Sequence, residues 1–314
     1  MKIGFVMDPI ERINPVKDST FAMLLEAQRR GHEIHYMTDS DLYVANHQPR
    51  AISRHLTLQD KTSDWFSKGP EEEIELARLD AVLMRKDPPF DMEYVMDTYV
   101  LDLAQSQGVL VINNPQALRD ANEKFFTEFF PDLSPDSCVS RNPRFLKEFV
   151  LDHGKAVIKP MDGMGGASIF QTAADDPNLN VILETVTNNG QRTAIAQTYI
   201  EAISEGDKRI LLVDGEAVPY ALARIPAGDD FRGNLAKGGR GEGRPLTAQE
   251  WHIARRVGPV LREKGILFAG IDVIGGYLTE INVTSPTCIR ELDKQFGLNI
   301  AGQLFDAIEK RLQD

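Results

Sequence analysis

Cysteine is nearly absent from this chain: Cys138 and Cys288 are the only two in 314 residues. That excludes a disulfide framework and a thiolate metal cage. No histidine neighbours either in sequence, so both read as buried structural thiols rather than nucleophiles. The six histidines show no zinc spacing; His32 and His35 fall at a helix-to-strand junction and the others are scattered. Long hydrophobic runs are missing too. The apolar opening, Lys2–Met7, is too short for a signal peptide and no stretch approaches a membrane span, so the chain reads as cytoplasmic, with no membrane partner. Positive charge is in deficit: 35 Lys and Arg stand against 47 Asp and Glu, a formal net charge of −12. No basic block offsets that deficit, which argues against a nucleic-acid partner. What remains is an ordinary globular composition, 42% apolar and 26% charged, long enough for two or three domains around a shared cleft.

Periodicity divides the chain. Lys2–Met7, Glu33–Met37, Leu79–Met84 and Val109–Ile112 read as strands, separated by helices at Ser19–Arg30 and Met92–Gln107. This alternation predicts a parallel sheet with ligands beyond the strand C-termini, where the loops Asp8–Ser19 and Arg85–Asp91 fall. Residues 45–75 are polar and read as an irregular surface excursion. After Pro115 the texture changes. Helices are expected at Asn122–Phe130, Arg144–His153, Leu179–Thr187, Thr247–Lys264 and Ile300–Leu312. Strands are expected at Ala156–Lys159, Ala167–Thr172, Thr193–Ile200, Lys208–Val213 and Val218–Arg224.

The richest segment is Gly270–Pro286, which sets Asp272, Glu280 and Asn282 within two short apolar strands. A buried carboxylate is costly without a cation or a donor, and three oxygen side chains suit a hard ion such as Mg2+. Glu280 and Asn282, two apart, share a strand face. Asp272 joins them if a three-residue turn, 275–277, pairs it with Glu280, or if a bulge intervenes; a plain two-residue Gly275-Gly276 turn sends it to the opposite face. The three-residue turn is the expectation.

Two glycine-rich segments accompany the hairpin. Ile158–Phe170 carries Lys159 on a strand and Gly163, Gly165 and Gly166 in the following turn, where bare backbone can approach an anion. It has neither the Walker A nor the Gly-x-Gly-x-x-Gly spacing. The stretch 226–243 is long for a connection and carries Arg232, Lys237 and Arg240, cationic in an acidic chain, as a closing lid would be. Between them, Gln197-Thr-Tyr-Ile200 and the polar run to Arg209 can face an adenine edge, with Asp207 on a ribose hydroxyl.

With Met84-Arg-Lys-Asp-Pro-Pro-Phe-Asp91, Lys159–Phe170, Arg232-Gly-Asn-Leu-Ala236, Gly238-Gly-Arg-Gly241 and Thr279–Arg290 assembled, the chain resembles the ATP-grasp superfamily and, closely, its bacterial glutathione synthetases along its full length. The resemblance implies an α/β fold, α+β overall. An N-terminal parallel-sheet pre-ATP-grasp domain (1–121) would precede a two-lobed ATP-grasp domain. Its central lobe would be 122–200 with the glycine flap, and its C-terminal lobe 201–314 with the lid 226–243 and the metal site. It implies ligation of γ-glutamylcysteine and glycine through an acyl phosphate, with ATP as co-substrate and Mg2+ or Mn2+ as cofactor, by a homotetramer.

The implied roles follow residue by residue. Lys124 and Lys159 contact phosphates beneath Gly163, Gly165 and Gly166. Gln197, Tyr199 and Ile200 take the adenine and Asp207 the ribose. Asp272, Glu280 and Asn282 hold the metal. Arg209 and Arg224 stabilise the reacting carboxylate and acyl phosphate. Asp18, Arg85, Ser285, Thr287 and Arg290 are candidates for substrate, each with a salt bridge or helix cap as the competing role. Arg232, Asn234, Gly238, Gly239 and Arg240 belong to the lid. Another carboxylate–amine ligase of the superfamily, using D-alanine or glutamate, and a non-catalytic nucleotide-binding module are the alternatives. A nicotinamide dehydrogenase is disfavoured because the first strand runs into Asp8-Pro9 without a glycine turn.

Overall fold

A computed structural model of the chain describes residues 1–163, 167–226 and 240–313. The first third runs β1 (Lys2–Met7), α1 (Ser19–Arg29), β2 (Glu33–Met37), β3 (Leu42–Ala45), β4 (Gln48–Leu58), β5 (Phe66–Glu75), β6 (Ala81–Arg85), α2 (Met92–Ser106), β7 (Leu110–Ile112) and α3 (Pro115–Asp120). The sheet order is β3-β4-β2-β1-β6-β7, with β5 on β4. β2, β1, β6 and β7 are parallel, as their almost wholly apolar runs require. Asp18 and Asp91 cap α1 and α2 by accepting from the backbone N–H of Phe21 and Tyr94.

Residues 45–75 are not irregular: most of them form the hairpin β4–β5, antiparallel to β2. Their polarity misleads because the strands pair by charge. Arg50 bonds Glu73 and Glu75 across the ladder, and Arg54 bonds Glu71. The helix expected at Asn122–Phe130 is also displaced. The Asn114-Pro115 start signal opens α3 earlier, and only a short 3-10 turn, Phe125–Phe129, follows.

The middle third comprises β8 (Ser137–Ser140), α4 (Pro143–His153), β9 (Lys155–Pro160), β10 (Phe170–Ala173), α5 (Leu179–Val186) and β11 (Ala194–Thr198). Its antiparallel sheet has the order β10-β9-β11-β8. The last third comprises β12 (Asp207–Val213), β13 (Glu216–Ile225), β14 (Arg240–Pro245), α6 (Ala248–Glu263), β15 (Phe268–Ile274), β16 (Tyr277–Asn282), α7 (Ile289–Phe296) and α8 (Ile300–Gln313). Here the order is β14-β13-β12-β15-β16. β14 corrects the expectation of an unbroken loop to residue 243, since residues 240–245 pair with β13. Its glycines and arginines gave it no strand pattern.

Two apolar clusters each draw on the first and third sheets together. One joins Val6 and Met84 to Ile271 and Ile281; the other joins Phe5 and Leu83 to Leu211 and Phe268. The middle sheet keeps its own cluster around Leu146, Ile158 and Leu183. Buried Asn113, at the end of β7, rivets the first sheet to the third. It donates to the Phe268 and Val283 carbonyls at 2.7 and 2.6 Å and accepts from the Leu267 and Phe268 N–H at 2.8 and 3.0 Å.

Candidate active site

The turn between β15 and β16 has two residues, Gly275 and Gly276, both at positive φ, and pairs Ile274 with Tyr277. This overturns the expected three-residue turn. The required register comes instead from a bulge: Val273 pairs with Leu278, and the next pair is Asp272 with Glu280. Thr279 is the extra residue, and its hydroxyl donates to the Asp272 carbonyl at 3.2 Å. Asp272, Glu280 and Asn282 therefore line one cavity of about 640 Å³, bounded by residues of the middle and last sheets and by loops of the first third, among them Asp18 and Asp87.

Asp272 is almost wholly enclosed and carries two guanidinium groups. Arg209, opposite it on β12, donates through Nε and Nη2 at 2.5 and 2.9 Å, Arg224 approaches to 2.9 Å, and Asn282 Nδ2 donates at 3.3 Å. Burial alone would raise the Asp272 pKa, but Arg209 and Arg224 outweigh it and hold the carboxyl well below its usual range. Arg224 also bonds Asp207 at 2.5 Å. Burial lifts Asp207 to about 6 despite that cation, and its Oδ1 has no partner among the described residues.

Lys159, on β9, stands 3.7 Å from Glu280 Oε1. Lys124 is buried, pairs with Glu123 and donates to the Gly163 carbonyl at 2.8 Å. Gly163 has a steric reason to be glycine, because a Cβ there would sit 2.7 Å from the Pro160 ring. Glu123 was not singled out from the sequence. It lines the same cavity, and burial followed by the charge of Glu280 raises its pKa. Its only signal was adjacency to Lys124. Glu123, Asp272 and Glu280 thus gather carboxylates at one end, and Glu280 lies beyond hydrogen-bond reach of the lysine beside it. Oxygen donors crowded in this way suit a hard divalent cation.

Part of the wall is apolar, made by Val157, Ile169, Ile200, Ile203 and Ile274, of which the sequence points to Ile200 alone. Gln197 and Tyr199 lie here. The Gln197 side chain is buried with its Nε2 unpartnered among the described residues, and the Tyr199 ring takes the Lys155 ammonium 3.8 Å from its centroid. Apolar walls with one buried, unpartnered donor and a cluster of lysines and carboxylates therefore share one cavity. That arrangement fits a molecule with a flat ring at one end and anionic groups at the other.

Asp18, Ser285 and Thr287 are on the cavity wall, and Asp18 is at once helix cap and wall. Arg85 and Arg290 are not among the lining residues. Arg85 is spent on the Thr20 hydroxyl and the Pro286 carbonyl, at 3.1 and 2.9 Å, and Arg290 on Asp60 at 2.6 Å. Arg85 therefore fixes the 285–287 loop from behind. Asn14, Lys17, Asp87 and Glu291 line the cavity without having been singled out. Gly165, Gly166, Arg232, Asn234, Gly238 and Gly239 lie outside the described residues. Arg240 opens β14 with its side chain in solvent, bonded to Glu242.

Comparison with known proteins adds family and fold. Residues 1–119 match the family described as prokaryotic glutathione synthetase, N-terminal domain, and residues 123–297 match its ATP-grasp domain. The chain is 58% identical over 313 residues to the glutathione synthetase of Escherichia coli K12, covering 100% of this chain and 99% of that protein. It is 56% identical over 312 residues to the one from Salmonella typhi, covering 99% of each. Among solved structures, the D-cycloserine synthetase DcsG aligns over 99% of both chains with a TM-score of 0.67 at 14% identity. The ATP-grasp ligase PsnB with its minimal precursor aligns over 100% of this chain and 99% of that one, with a TM-score of 0.65 at 18% identity. At such identities these two show the shared fold alone.

Proposed function

This chain belongs to the prokaryotic glutathione synthetase family, and from that premise we propose how its cavity divides the labour of the reaction. The protein is an ATP-dependent ligase joining γ-glutamylcysteine to glycine. A carboxylate is a poor electrophile because its oxygen leaves badly. Transfer of the ATP γ-phosphoryl group to the cysteinyl carboxylate makes that oxygen part of a good leaving group. The glycine amine then attacks, and phosphate departs.

Such a transfer asks the protein for position and charge rather than covalent chemistry. The apolar slot takes the adenine, with Gln197 Nε2 donating to a ring acceptor and the unpartnered Asp207 oxygen accepting from a ribose hydroxyl. Lys124 and Lys159 neutralise phosphate oxygens. Asp272, Glu280 and Asn282 would hold Mg2+, or Mn2+, whose positive charge would offset that of the phosphates. Arg209 and Arg224, anchored on Asp272 rather than free to swing, present guanidinium edges to the acyl phosphate. Asp18, Ser285 and Thr287 face the peptide and glycine, and Arg85 positions their loop.

The division 1–121, 122–200 and 201–314 follows the three sheets, each of which lies within one span. No helix among the described residues is long and apolar enough to cross a membrane. A cytoplasmic homotetramer is the form we assign by family.

The observation that carries the reading is the single cavity with an unpartnered Gln197 donor at its apolar end and two lysines with three metal-site oxygens at the other. The test is ADP release by purified protein. It should require γ-glutamylcysteine and glycine together. Turnover with D-alanine or glutamate pairs but not with these two overturns the substrate assignment.

A further inference from the structure

The first sheet carries a second cluster of ligating side chains, none of which lines the cavity. Glu33 and His35 are two apart on β2 and so share a face. His35 pairs directly with His55 of β4. Ser53, two residues before His55, pairs with Glu72 of β5. The backbone thus delivers Glu33, His35, Ser53, His55 and Glu72 to one face.

The side chains converge. His35 Nε2 lies 3.1 Å from Glu33 Oε1, and His55 Nε2 lies 3.9 Å from the same oxygen and 3.7 Å from Glu72 Oε2. The ligand atoms of Glu33, His35 and His55 all fall within 4.8 Å of one another. A tetrahedral ion with bonds of about 2.0–2.1 Å spaces its ligand atoms roughly 3.3–3.4 Å apart, so the observed separations bracket what such an ion needs. His35 is also oriented from behind: its Nδ1 lies 3.0 Å from the Ser53 hydroxyl. A donor bond from Nδ1–H to that oxygen turns the Nε2 lone pair inward, as outer partners of metal-bound histidines do.

We propose that Glu33, His35 and His55, completed by Glu72, bind a borderline divalent cation of the Zn2+ class. The place gives the ion a task. The β4–β5 hairpin holds eight paired positions internally but joins β2 through two, His35 with His55 and Tyr36 with Arg54. An ion on this face fastens the hairpin to the parallel sheet where the ladder is shortest.

The experiment is calorimetric titration of ZnCl2 into chelator-treated full-length protein without ATP or magnesium, beside His55→Gln, Glu33→Gln and Glu280→Gln. One zinc equivalent is expected for the unaltered protein, weakened about 10–100-fold in His55→Gln and in Glu33→Gln and retained in Glu280→Gln. Zinc should raise the Tm of the unaltered protein and not that of His55→Gln. Cobalt should give the visible absorption of a four-coordinate site only where His55 is present. His55 is half-buried at the sheet surface and outside the apolar clusters, so the variant should fold, and its ligase activity should match that of the unaltered protein. Equal zinc affinity and equal cobalt spectra in His55→Gln and Glu33→Gln overturn the proposal and leave a histidine–carboxylate hydrogen bond only. Loss of the equivalent in Glu280→Gln alone overturns it equally, since the ion then sits in the cavity.

Discussion

Asp272 faces Glu280 across β15 and β16 because Thr279 is an extra residue in the ladder. The two carboxylates, though paired, have opposite surroundings: Asp272 is bound by Arg209 and Arg224, while the ion pair of Glu280 among the described residues is with Lys159 at 3.7 Å. Asp272→Asn should therefore lose about 3–5 kcal/mol of stability, because it strands buried cations. Glu280→Gln should unfold within about 0.5 kcal/mol of the unaltered protein yet lose about a hundredfold or more in ADP release. Denaturant melts and the coupled assay on both variants check the contrast.

Gln197 offers a buried donor with no partner among the described residues. Gln197→Ala should raise the KM for ATP about five- to tenfold, the worth of one neutral hydrogen bond, with kcat little altered. A fall in kcat at unchanged KM would place Gln197 at the reacting phosphate instead.

Helix α6 touches the β12–β13 turn through two glycines. A Cβ on Gly258 would overlap the Gly215 carbonyl oxygen, and Gly215 itself holds φ +77°. Gly258→Ala should cost about 2–3 kcal/mol by forcing the helix off the turn. An unchanged Tm would mean that α6 is not held there.

Asp97 on α2 has a pKa raised to about 7 by burial and by the charges of Asp39, Glu93 and Asp91. A carboxyl raised in the folded state binds its proton more tightly there than in the unfolded chain. Its ionisation therefore costs stability progressively from about pH 4 to about pH 7, and fully above that. Asp97→Asn should be the more stable protein at pH 8 by about 1 kcal/mol, after allowing for solvent screening of a half-exposed group. The gap should close below about pH 4. Melting curves across that range read it directly.

Strand and helix positions in the first sheet were legible because apolar periodicity fixes them: Lys2–Met7 and Glu33–Met37 end where the pattern ends. β5 and β14 were hidden by the opposite circumstance, since glutamate ladders and glycine runs carry no apolar alternation. In the site, Asp272, Glu280 and Asn282 stood out as polar residues on apolar strands. The bulge that unites them is invisible in sequence, because any of several residues could have been the extra one. Arg85 and Arg290 resembled substrate contacts, but charge in sequence does not reveal that Pro286 and Asp60 already hold them. Glu123 and the apolar wall residues come from separate stretches of the chain, and only their meeting in space marks them.

The sharing of apolar clusters between the first and third sheets makes the cavity walls mechanically unequal. Parting those two sheets would expose joint oil-like surface and pull out the four bonds of Asn113. Swinging the middle sheet leaves its own cluster intact. The first and third sheets therefore form one fixed jaw, and the middle sheet is the jaw whose displacement would expose the least apolar surface.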